Sequence, residues 1–152
     1  MNCLLRAAAV LLNEPVKTLI EEIGHEGDSV AWPQYKKPLC YVGVHMQEIM
    51  DCCLRRGYGL VPIHHYPCTS GPNGELEFPF SEPEAEARLL IHITGHTGIA
   101  VGVTGSGIRH AWFWNGETLN DPATKMLYHL NECMIREVYL LSKLHLLEQI
   151  KS

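Results

Sequence analysis

Arg109-His110-Ala111-Trp112-Phe113-Trp114-Asn115-Gly116-Glu117-Thr118-Leu119-Asn120-Asp121-Pro122 is the stretch that decides how this chain folds. Aromatic and apolar residues fill its first half, and Asn115-Gly116 then supplies two residues that tolerate positive φ. Two short strands joined by such a pair read as a β-hairpin. Taking Asn115 and Gly116 as the loop and counting outward, Trp114 faces Glu117, Trp112 faces Leu119, and His110 faces Asp121. Opposed residues share a face and interact, so the hairpin is expected to set an imidazole beside a carboxylate. Asn120 is an alternative orienting residue, but alternation forbids both it and Asp121 from facing His110.

A carboxylate that orients a histidine is half of a nucleophilic triad, and the other half is sought elsewhere in the chain. Asn2-Cys3-Leu4-Leu5-Arg6-Ala7-Ala8-Ala9 places a capping residue before an Ala- and Leu-rich helical run. Cys3 then sits in the first turn, where the helix dipole and unpaired N–H groups favour a thiolate. Cys3, His110 and Asp121 are the candidate catalytic residues, with the sulfur expected to lie against the His110 ring.

A cysteine opening an N-terminal helix, a late histidine strand and a neighbouring Asp-Pro together resemble the papain-like cysteine peptidases. The likeness is to the small branch related to bacteriocin-leader peptidases. Ile23-Gly24-His25-Glu26-Gly27 and the run from His45 to Tyr58 resemble stretches of small bacterial and phage proteins of that kind. The resemblance implies an α+β papain-like fold, N-terminal helices packed on an antiparallel sheet. It also implies a Cys3 nucleophile, a His110 base and an Asp121 acid acting on a peptide, isopeptide or amide bond, with no cofactor. Deamidation and acyl transfer use the same parts. Those peptidases carry a glutamine shortly before the cysteine, whereas here only Met1 and Asn2 precede it. Either Asn2 and the Cys3 N–H form the oxyanion hole, or that hole is incomplete. In the second case the chain is a catalytically weak papain-like protein serving as a protein-binding or inhibitory module.

Composition bounds these readings. A chain of 152 residues suits one domain, 1–152, with its own core. A formal charge of −5 argues against nucleic acid as a partner, and the resemblance implies a protein or peptide substrate. No apolar run approaches the ~18 residues of a membrane span, and the start lacks the basic region of a secretion signal. Six cysteines (Cys3, Cys40, Cys52, Cys53, Cys68, Cys133) have no framework spacing, so reduced thiols and a cytoplasmic location are expected. Most of them read as small buried hydrophobes.

Along the chain, helices are expected from Cys3, over Pro15 to Ile23 and over Val44 to Arg56, with Gly24 and Gly57 as terminators. His25 to Gly43 reads as a loop anchored by Trp32, Tyr35 and Tyr41. Strands are expected at Gly59 to His64, Arg88 to Ile93, Gly98 to Val103, Ile108 to Trp114 and Glu117 to Asn120. A further strand is expected at Met134 to Leu141, and a closing helix at Leu144 to Ile150. Pro67 to Pro83, with Phe78 and Phe80, reads as an ordered connection or lid.

Rival chemistry is thinner. His96 imitates a histidine strand but has no acid opposite by turn counting. His45, His64, His65, Cys40, Cys52, Cys53 and Cys68 are soft ligands without metal-site spacing, so no metal is expected. The glycines of Thr104 to Gly107 open no helix and make a poor phosphate loop. Trp112 and Trp114 share a face with His110 and are candidates for a substrate groove, with an ordinary core role as the competing reading.

Overall fold

The first helix is capped by a side chain. Asn2 is extended, and its Oδ1 accepts the N–H groups of Leu4 and Leu5 at 3.2 and 3.4 Å, which starts α1 (Cys3–Leu12). A left-handed Asn13 closes it. The computed structural model describes residues 2–27, 43–64, 69–70, 73, 76–77 and 82–145. The expected aromatic loop with Trp32, Tyr35 and Tyr41, the residues Cys40, His65, Cys68, Phe78 and Phe80, and all but two residues of the expected closing helix lie outside these.

Helices α2 (Val16–Ile23) and α3 (Met46–Arg55) follow, ended by Gly24 at φ +90° and by the turn through Gly57 at φ +81°. Strand β1 (Tyr58–His64) comes next, then a two-stranded ribbon of β2 (Thr69–Ser70) and β3 (Leu76–Glu77). Helix α4 (Glu82–Ile93) leads into β4 (Gly98–Val103), β5 (Arg109–Trp114), β6 (Leu119–Asn120), β7 (Leu127–Tyr128) and β8 (Met134–Lys143). The main sheet runs β1-β8-β4-β5-β6-β7, antiparallel throughout. Among the described residues the protein is therefore α+β, with four helices and a six-stranded antiparallel sheet. No helix among them is long and apolar enough to cross a membrane.

Helix α4 corrects one expectation. Arg88 to Ile93 is helical, not a strand, because Ala85, Leu89 and Ile93 recur at intervals of four and bury one face. Pro83 is tolerated in its first turn.

The sheet carries a core on each side. Ile99 and Ala111 join Leu5, Ala8, Leu19, Ile49 and Cys53 under the N-terminal helices. Ala100, Trp112, Trp114, Val138 and Leu140 join Leu89 and Ile93 of α4 on the other face. The alanines of α1 bring its backbone close to β4 and β5, which fixes where its N-terminus ends up.

The hairpin also differs from the expected count. Phe113 pairs with Asn120 and Trp114 with Leu119, so the loop has four residues, Asn115 to Thr118. Asn115 Oδ1 accepts the N–H groups of Glu117 and Thr118 at 2.9 and 2.8 Å, drawing both residues into the turn. The register is displaced by two.

Candidate functional site

A displacement of two keeps every side chain on its expected face, since the pleat repeats every two residues. His110 and Asp121 are consequently diagonal neighbours rather than opposed ones, and they still meet. His110 Nε2–H donates to Asp121 Oδ2 at 3.1 Å. Asp121 Oδ1 accepts the N–H groups of Ala123 and Thr124 at 2.9 and 3.4 Å. Burial alone would raise the Asp121 carboxyl, but the Ala123 N–H, the neighbouring His110 and the Thr124 N–H together hold it below its ordinary value. With Nε2 committed to the acid, Nδ1 is the nitrogen left for a nucleophile. Asn120 faces Phe113, and its amide donates to the Phe113 and Thr118 carbonyls, so it does not compete for His110.

Cys3 is half-buried in the first turn of α1, with Asn2 as the cap. Because Asn2 Oδ1 accepts from the helix, its Nδ2 is the outward donor. That nitrogen points at Gly27, where an added Cβ would come within 2.6 Å of it. Gly27 at φ +89° is thus a glycine both by conformation and by this approach. The Cys3 N–H, one of the unpaired N–H groups of a helix start, is a second donor beside the sulfur.

Both residues border one cleft of about 850 Å³ between the N-terminal helices and the sheet. Asn2, Cys3, Glu26 and Gly27 form its helical wall, and Gly102, Arg109, His110, Arg136, Glu137 and Tyr139 stand on its sheet wall. The expected bond between sulfur and imidazole is not formed: no hydrogen bond joins Cys3 to His110. Strand alternation gives the reason. Ala111 packs under α1, so His110 leaves β5 on the opposite face, edge-on to Trp112 at 4.7 Å between ring centroids. It reaches the cleft because it stands at the open start of the strand, opposite a glycine, Gly102.

Trp112 and Trp114 do not border that cleft. Both are buried beneath α4, and the Trp114 indole N–H donates to the Ile93 carbonyl at 2.9 Å. They form core, which corrects their candidacy as groove residues. His96 is exposed on the connection from α4 to β4 and takes no part in the cleft. Cys52 and Cys53 are buried in α3, and burial pushes the Cys53 thiol up to about 11. His45 caps α3 through its N–H to Glu48 Oε2 at 2.8 Å. Among the described residues no group of three or more His, Cys, Asp or Glu is arranged to hold a metal ion.

Three features of the cleft were not anticipated from sequence. His25 Nε2–H donates to Glu48 Oε1 at 2.5 Å while His25 Nδ1 accepts the Gly27 N–H at 3.1 Å. This pair joins the two quoted stretches, His25 to Gly27 and the start of α3, and holds the turn that abuts Asn2. Second, β8 bulges. Val101 pairs with Glu137 and Gly102 with Ile135, which leaves Arg136 as the extra residue. Third, Gly102 is required beside that bulge, since a Cβ there would lie 2.1 Å from the Met134 carbonyl oxygen. The spacing Ile135, Val138, Leu140 was the legible signal, because three followed by two breaks strict alternation. Comparison with protein-family profiles, with curated proteins and with solved structures finds no match to this chain.

Proposed function

We propose that this protein is a papain-like cysteine hydrolase that cleaves a peptide, isopeptide or amide bond with Cys3, His110 and Asp121. The supporting observation is the single cleft that receives the N-terminus of α1 with Cys3 and is bordered by a histidine whose far nitrogen is held by a buried acid. In the mechanism, the Cys3 sulfur attacks the acyl carbon as its proton passes to His110 Nδ1, and Asp121 stabilises the imidazolium. The C–N bond breaks, His110 returns the proton to the departing amine, and water then hydrolyses the thioester. The Cys3 N–H and Asn2 Nδ2 are the donors available to the oxyanion. Attack requires the His110 ring to swing toward the sulfur, and catalytic hydrogen bonds of resting enzymes commonly close only with substrate bound.

The second reading is a papain-like binding module without turnover, and the missing sulfur–imidazole bond favours it. Alkylation by iodoacetamide near neutral pH, mapped by mass spectrometry, separates the two. For a hydrolase, Cys3 outpaces Cys133, whose thiol burial pushes up, and His110→Ala slows it by about tenfold or more. Equal, slow alkylation of Cys3 in both proteins would end the hydrolase reading.

A further inference from the structure

The bulge in β8 does more than interrupt a ladder. In a regular strand, neighbours 136 and 137 would face opposite sides of the sheet; with the extra residue, Ile135 and Val138 both enter the α4-side core. The two residues between them, Arg136 and Glu137, are both delivered to the cleft. Glu137 is engaged there, accepting the Tyr139 hydroxyl. Arg109, at the start of β5, borders the same wall. Among the described residues neither guanidinium makes an ion pair or a side-chain hydrogen bond, although elsewhere Arg55 pairs with Glu22 and Arg56 with both Glu14 and Glu22. In a chain of net charge −5, the cleft has thus kept two uncommitted cations on its sheet wall beside the histidine. The other described charges facing it are Glu26, exposed on the helical wall, and the engaged Glu137.

We infer that Arg109 and Arg136 recognise a carboxylate carried next to the scissile acyl group of a peptide substrate. This rests on the cleft of Cys3 and His110 being the reaction site. A guanidinium fork suits a carboxylate in two-point contact, and a β-bulge is a stable way to aim one into a groove. The carboxylate has two possible sources, an acidic side chain or a free C-terminus.

Alkylation of Cys3 by iodoacetate and by iodoacetamide tests this without turnover. The two reagents form the same sulfur–carbon bond with loss of iodide and differ in charge. Relative to the unfolded chain, the iodoacetate-to-iodoacetamide rate ratio at Cys3 should be raised by about threefold or more and fall back in Arg109→Gln/Arg136→Gln. High salt should lower it as well. A ratio unchanged by the double substitution overturns the inference, and does so even if His110→Ala slows both reagents and the hydrolase reading stands. Conversely, a charge preference lost in the arginine variant, with the absolute rates of both reagents unchanged by His110→Ala, retains carboxylate recognition and removes the histidine from the chemistry. Protection of Cys3 by an amidated peptide with internal Asp and Glu, or by a neutral peptide with a free C-terminus, identifies the source. Protection by neither overturns the inference.

Discussion

Asp121 does two tasks with one carboxylate: one oxygen holds His110 and the other collects the N–H groups of the turn that follows. Its lowered pKa gives the sign of a pH effect. A carboxyl depressed in the folded state contributes stability that is complete above its ordinary value near 3.8 and is lost as pH falls through the folded value. Asp121→Asn should therefore cost about 1 kcal/mol at pH 7, and urea unfolding should show the gap to the parent protein closing below pH 4. The pairing with His110 was legible in the sequence despite a wrong loop length, and the reason is arithmetic. The Asn115 side chain enlarges the turn by two residues, and an even error leaves faces intact. An odd one would have set Asn120 toward the histidine. The lack of a hydrogen bond between Cys3 and His110 was not legible, because it depends on which face of β5 the first helix covers.

At the level of elements, the three N-terminal helices are tied by one side chain. Arg56 donates to both oxygens of Glu14 at 2.7 and 2.8 Å, to Glu22 at 3.1 and 2.7 Å, and to the Cys52 carbonyl at 2.7 Å. That joins the connection after α1 to α2 and to the end of α3. A lysine has no planar fork, so Arg56→Lys should cost about 2 kcal/mol, or roughly 4–8 °C in Tm, as read by calorimetry. The Arg56 hydrogen bond, opposed by burial and helped by Arg55, pushes Glu22 down to about 2. Its share of stability is full above the ordinary glutamate range and disappears as pH falls toward 2. The Tm difference between Arg56→Lys and the parent should accordingly be smaller at pH 2.5 than at pH 7. The sequence showed these helices through their apolar spacing and caps, whereas their cross-links join residues up to 42 positions apart and have no local signature. Helix α4 was misread for a different reason. Arg-Leu-Leu-Ile-His-Ile taken alone suits a strand, and its helical period appears only when Ala85 is counted with Leu89 and Ile93.

Over the whole molecule, the last strand among the described residues is an inner one. β8 lies between β1 and β4, paired along both edges, so its amides and those of β4 should be the slowest to exchange with deuterium, and those of β6 and β7 among the fastest. Equal protection across the sheet would contradict this arrangement. Alternation in the sequence was enough to locate β8 as a strand, but its central position is a property of topology that no local pattern encodes.

That position has a consequence for synthesis. Cys3 is synthesised more than a hundred residues before the bulged strand, so the thiol exists before Arg136 and before the sheet is complete. Without β8, β1 and β4 would each lack the strand that pairs along that edge. The sheet wall of the cleft, to which β8 contributes Arg136, Glu137 and Tyr139, is therefore complete only once that strand has been made.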